Sequence, residues 1–109
     1  MRDEQEDTYT MTVPPWDTPK RVDANLYFMY LNEWESPGII KRYAIISWAA
    51  DGTGAYSPSM HYEDRGYGFY CWPEFRALSD AQDFIERLWC MPFATVKALN
   101  GSQWPNVVL

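Results

Sequence analysis

The sequence predicts an α+β fold: a single domain with an antiparallel sheet of four or five strands and one or two C-terminal helices packed on one face. Three observations carry that expectation. Two hairpin patterns occupy residues 26–48 and 60–72, a capping-box signal opens at Ser79, and one apolar stripe at helical spacing runs on from it. With 109 residues there is room for one core and no second.

The first segment, residues 1–23, reads as an acidic, Pro-rich N-terminal arm, and residues 24–109 as the α+β domain. Positions 1–7 are charged and lack an apolar stretch, so no signal peptide is expected there and the segment reads as a solvated tail or a docking arm. Tyr9, Met11 and Val13 alternate with threonines, the pattern of a short strand over 8–13. Pro14, Pro15 and Pro19 fix φ and remove donors, so no regular element should cross 13–19.

From Ala24 the pattern sharpens. Leu26-Tyr27-Phe28-Met29-Tyr30-Leu31 is a continuous apolar and aromatic strand that ends near Trp34. Glu35-Ser36-Pro37-Gly38 places Pro and then Gly at the two centres of a type II turn. The return strand over 39–48 puts Ile40, Ala44, Ile46 and Trp48 on one face together with Arg42, and Lys41, Tyr43, Ile45 and Ser47 on the other. Both strands carry apolar groups on both faces, which puts the hairpin at the centre of the sheet.

Asp51-Gly52-Thr53-Gly54 is a loop by composition. A second hairpin follows, from Met60 to Glu63 and back from Gly68 to Trp72. A four-residue loop over 64–67 would set His61 opposite Tyr70, and a three-residue loop over 65–67 would set it opposite Cys71. Ser79-Asp80-Ala81-Gln82 fits a capping box, and Ala81, Phe84, Ile85, Leu88 and Trp89 form the stripe, with Glu86 and Arg87 facing away. Pro92 stops this helix or starts a second over 93–99, closed by Asn100-Gly101. The apolar tail over 104–109 should pack down.

Composition excludes several function classes. Fifteen carboxylates against nine Lys and Arg give a net charge of −6, with the basic residues scattered. Nucleic-acid affinity rests on clustered cations, so direct binding to DNA or RNA is not expected, even though Tyr27, Phe28, Tyr30, Tyr43, Phe69, Tyr70 and Trp72 could stack bases. No run reaches the ~18 apolar residues a membrane span needs. Cys71 and Cys90 are too few for a disulfide framework and read as free thiols in a reducing cytoplasm.

Chemistry-bearing motifs are equally sparse, so neither metal nor cofactor is expected and the protein reads as non-enzymatic. His61 is the sole histidine, and its pairing with Cys71 as base and nucleophile has no orienting third group. Glu33 with Glu35, and Glu63 with Asp64, flank turns as solvated acids do, rather than facing each other across a cleft. Asp51-Gly52-Thr53-Gly54 lacks the later acids of a calcium loop. Gly52-x-Gly54 and Gly66-x-Gly68 precede strands, whereas a phosphate-cradling loop needs a helix behind it.

What stands out is 17% aromatic content on an acidic chain, more rings than one sheet face against one or two helices absorbs. Exposed Tyr and Trp ringed by acids make a protein-binding patch. The sequence therefore points to a small acidic module that occupies a basic surface of a partner protein. Its profile is of inhibitor or immunity type, or of a phage or mobile-element antagonist of host nucleic-acid machinery that mimics nucleic acid with carboxylates. The partner-binding candidates are Glu33, Trp34, Glu35, Glu63, Asp64 and Tyr67. A self-associating structural subunit is the alternative reading, and a small enzyme ranks third.

Overall fold

A computed structural model describes residues 12–69 and 73–99. Five strands, β1 (Lys20–Asp23), β2 (Leu26–Ser36), β3 (Ile39–Ala49), β4 (Ser57–Tyr62) and β5 (Tyr67–Phe69), pair in sequence order as one antiparallel sheet. Two helices follow, α1 (Leu78–Trp89) and α2 (Phe93–Leu99). This is the α+β architecture expected, with β3 in the centre as its two-sided apolar pattern requires.

Strand alternation sorts the side chains into two faces. Leu31, Ala44, Met60, Tyr62 and Phe69 point to the helix side and are buried there against Ile85, Leu88, Trp89, Phe93 and Val96, while Ile46 on the same side packs with Phe75 and Ala81. Arg42 lies in the same row, fully buried, where the sequence put it among apolar neighbours. Replacing Leu88, 4% exposed within this cluster, by Ala should cost about 2–3 kcal/mol through cavity formation. Urea denaturation measures it, and a loss under ~0.5 kcal/mol would mean that the α1 stripe carries little of the core.

The β2–β3 turn has the expected residues at its centre. Ser36 pairs with Ile39, and Gly38 takes φ +81°, the left-handed value a type II turn demands at its second central position. The β4–β5 turn differs from both expected registers. Tyr62 pairs with Tyr67 and His61 with Gly68, so the loop is 63–66. Its first turn closes with the Arg65 N–H on the Tyr62 carbonyl at 3.0 Å, and Gly66 (φ +70°) ends it. A type I turn followed by one left-handed residue is a stable four-residue hairpin loop, and Gly66 can serve as its last residue without strain.

The helix start also differs. α1 begins at Leu78, with Ala77 extended (φ −123°, ψ 138°) and no side-chain cap, so Ser79 lies inside the helix and the capping box does not form. Phe75 bridges to Tyr56 by two backbone hydrogen bonds of 2.7 and 2.9 Å, which sets where the chain leaves the sheet and brings the helix in earlier. Gln82, freed from capping, donates to Met29 Sδ at 3.4 Å. α2 spans the expected residues, with Pro92 before its first turn and its carbonyl accepting from Thr95 and Val96.

Residues 12–19 hold no regular element, in keeping with their prolines, and β1 starts directly after Pro19. The segment read as an arm nonetheless lines the sheet edge. The Asp17 N–H donates to the Tyr30 carbonyl at 3.0 Å and Asp17 Oδ1 accepts from the Tyr30 N–H at 2.7 Å, extending the β1–β2 ladder. Trp16 packs against the core and donates its indole N–H to Glu86 Oε2 at 2.8 Å, so Glu86 is engaged rather than facing away. Of the strand expected over 8–13, residues 8–11 lie outside the described residues and Thr12 and Val13 are not in a strand. The Asn100-Gly101 helix end and the tail over 104–109 also lie outside the described residues.

Candidate functional site

Antiparallel topology brings the β2–β3 and β4–β5 turns to one end of the sheet. The Asp64 N–H donates to the Lys41 carbonyl at 3.0 Å and ties the second turn to β3. All six candidate residues therefore lie at this end, but they do not form one uniform patch. Trp34 is 59% exposed, and Glu35, Glu63 and Asp64 are exposed beside the turns. Tyr67 is partly exposed, but its hydroxyl accepts from Lys97 Nζ at 2.8 Å, and the ammonium lies 4.4 Å from its ring centroid. Glu33, expected as a solvated turn acid, turns inward instead and accepts from the buried Arg42 Nε–H, with Lys41 Nζ 3.9 Å away.

The face opposite the helices carries a second set of side chains that the sequence did not group. Phe28 and Tyr30 meet edge-on at 6.0 Å, Tyr30 and Tyr43 lie 6.3 Å apart, and Tyr43 stacks on His61 at 4.6 Å and 12°. Toward the turn, Tyr30, Asn32, Trp34, Gly38, Ile40 and Tyr43 enclose a shallow depression of about 260 Å³. The suspected stacking aromatics are thus split. Tyr27 stacks on Trp48 on the helix side and Phe69 is buried there, while Tyr70 and Trp72 lie outside the described residues. Among the described residues, no helix packs on this opposite face.

His61 sits at the inner end of this aromatic row, with Nε2 3.1 Å from Ser59 Oγ. Burial holds its imidazole below the usual histidine range, and nearby Glu63 offsets part of that. A folded-state value below the unfolded one means the unfolded chain takes up the proton first as pH falls. Stability from neutral His61 is therefore complete above the unfolded value of about 6.5 and is lost as pH falls through it toward the lower folded value. Urea midpoints should drop between pH 7.5 and pH 5, and His61→Phe should show a smaller drop over the same interval. Equal drops in the two proteins would remove His61 from the account.

Opposite His61 stands Gly68, while Cys71 lies outside the described residues. Cys90 follows α1 directly and is half-buried. Among the described residues there is no group of three or more His, Cys, Asp or Glu placed to hold a metal ion. Asp51 serves its own loop: its Oδ1 accepts from the Thr53 N–H at 3.0 Å and hydroxyl at 2.7 Å, which lowers its carboxyl pKa. No helix among the described residues is long and apolar enough to cross a membrane.

The sequence signal that could have found the depression is the alternation Tyr30-x-Asn32-x-Trp34 on β2, three residues of one face converging on the turn. Asn32 pairs with Tyr43 in the regular register, but the pairing of Trp34 with Ile40 depends on register shifts on either side of Trp34, and no sequence pattern marks those. Compared with known protein families, curated proteins and solved structures, the chain matches none.

Proposed function

We propose that this chain is a small acidic protein-binding module of inhibitor or immunity type, which occupies a basic surface of a partner protein through the turn end of its sheet. The observation that carries the reading is Trp34, 59% exposed beside an apolar depression, at the same end as the exposed carboxylates Glu35, Glu63 and Asp64. Exposed aromatic anchors supply binding energy out of proportion to their number. Carboxylates around them steer encounter with a cationic partner and set register. A net charge of −6 adds long-range attraction to such a surface. An antagonist of nucleic-acid machinery, from a phage or mobile element, is the class of inhibitor in which carboxylates stand where phosphates would.

Affinity capture from the source cell identifies the partner, and binding of the two purified proteins tests the reading. Raising salt should slow association far more than it speeds dissociation. A variant with Glu35, Glu63 and Asp64 all changed to Lys should bind roughly tenfold more weakly or worse, since each exposed charge is worth only ~0.2–1 kcal/mol. Reversal at Asp3, Glu4, Glu6 and Asp7 should cost less. Glu33 is left unchanged because it holds Arg42. A salt-independent complex that tolerates the triple reversal would remove charge from the account. Assembly of the chain with itself alone would favour the structural-subunit reading.

A further inference from the structure

The depression at the turn end has the chemistry of a cation site. Three of its walls are aromatic: Tyr30 and Tyr43, with ring centroids 6.3 Å apart and planes inclined at 42°, and Trp34. Ile40 supplies aliphatic surface and Asn32 a side-chain amide. Aromatic faces carry negative quadrupole potential, and several rings around one hollow are how proteins hold quaternary ammonium and guanidinium groups. Apolar walls alone would suit an aliphatic or proline guest equally, so charge has to decide.

Charge favours a cation. Glu35 adjoins Trp34, and Glu63 lies beyond His61, which stacks on Tyr43. The chain's own cations already lie against its rings: Lys20, itself paired with Asp17 at 3.1 Å, is 5.9 Å from the centroid of Tyr30, one wall of the hollow, and elsewhere Arg21 is 5.8 Å from Tyr27 and Arg65 4.9 Å from Phe93. Trp34, the most exposed of the large apolar side chains, makes no cation or ring contact among the described residues.

We propose that this hollow receives the guanidinium of an arginine side chain presented by the partner protein, an inference that rests on the binding reading above. Arginine fits better than lysine because a planar guanidinium stacks flat on an aromatic wall while its edge still donates, here to the Asn32 carbonyl oxygen. The guest's charge would be supplied by the same basic surface that the carboxylates address.

The test is an NMR titration of the full chain with three capped tripeptides: Gly-Arg-Gly, the same peptide with neutral citrulline for arginine, and Pro-Pro-Pro. The Trp34 indole resonance, identified by its loss in Trp34→Leu, should move with the arginine peptide and saturate in the millimolar range. Citrulline should bind about two- to fivefold more weakly, the scale of a cation–π contact at an exposed site. Trp34→Phe should retain part of the arginine binding and Trp34→Leu should lose it, separating a π surface from an apolar one. Because Trp34 is largely exposed, both variants should keep the wild-type Tm, and that is checked first. Equal binding of citrulline, preferential binding of the proline peptide, or no movement of Trp34 would each overturn the inference.

The binding reading fails separately. If Trp34→Leu leaves partner affinity within about twofold while the Glu35, Glu63 and Asp64 reversals still weaken it, the arginine pocket falls and the acidic module stands. If the arginine peptide binds as expected but no partner complex depends on salt or on these acids, the pocket stands and the acidic docking reading falls.

Discussion

Glu33→Ala should destabilise the fold by about 3–5 kcal/mol, a large share of the stability of a domain this size. Arg42 is completely buried in the central strand, and its guanidinium is held at three points. Its Nε–H donates to Glu33, directly across the β2–β3 pair, and one terminal nitrogen donates to the Trp89 carbonyl at 2.8 Å. Its planar head lies 3.9 Å from the Trp89 ring centroid. Trp89 is the last residue of α1, so its carbonyl is among those a helix leaves without internal partners, at the negative end of the dipole. One arginine therefore joins the middle of the sheet to the end of the helix. Removing Glu33 leaves the charge buried without its counter-ion, and desolvation is no longer offset. Glu33→Gln should cost less, since an acceptor remains. Replacing both partners, Glu33→Leu with Arg42→Met, should recover most of the loss, because an apolar pair of similar volume needs no compensation. Urea denaturation of the three variants decides it. A single-variant loss under ~1 kcal/mol would mean that other groups carry the charge of Arg42.

Arg42 also shows how much of this fold was legible in the sequence. Period-two alternation placed it on the apolar face of β3, and the structure puts it there. Its acceptor on Trp89 was not legible, because that contact spans 47 residues and no local pattern encodes which helix end meets which strand. The same division runs through the rest of the chain. Hairpins, the α1 stripe and the Pro92 start of α2 are local patterns and were readable. The β4–β5 register was not, since Gly66 satisfies several loop lengths and only cross-strand pairing selects one. The start of α1 depends on the Tyr56–Phe75 bridge, which joins residues 19 apart, so a Ser-x-x-Gln signal two residues inside the helix misled. At the candidate site, Trp34 and the turn acids were legible as turn-flanking residues. The inward turn of Glu33 and the convergence of Tyr30, Trp34 and Tyr43 were not, because both depend on the partner strand.

Trp89→Ala should cost about 3–5 kcal/mol, the range for removing a fully buried large aromatic. Packing, rather than hydrogen bonding, is the source of that loss. Among the described residues the indole Nε1–H has no acceptor, so its removal breaks no bond there. Trp89→Phe should therefore cost only about 1–2 kcal/mol, the burial lost with the smaller ring, while keeping an aromatic face under Arg42. The backbone carbonyl that accepts from Arg42 is unchanged in either variant, which isolates the ring's contribution. A double-mutant cycle of Trp89→Leu with Arg42→Met then measures how far ring and guanidinium act as a unit. For a stack at 3.9 Å shielded from water, the coupling should reach about 1–2 kcal/mol. Coupling within ~0.3 kcal/mol of zero would mean that Trp89 contributes packing alone, and that the hydrogen bonds to Glu33 and to the helix end hold the guanidinium without help from the ring.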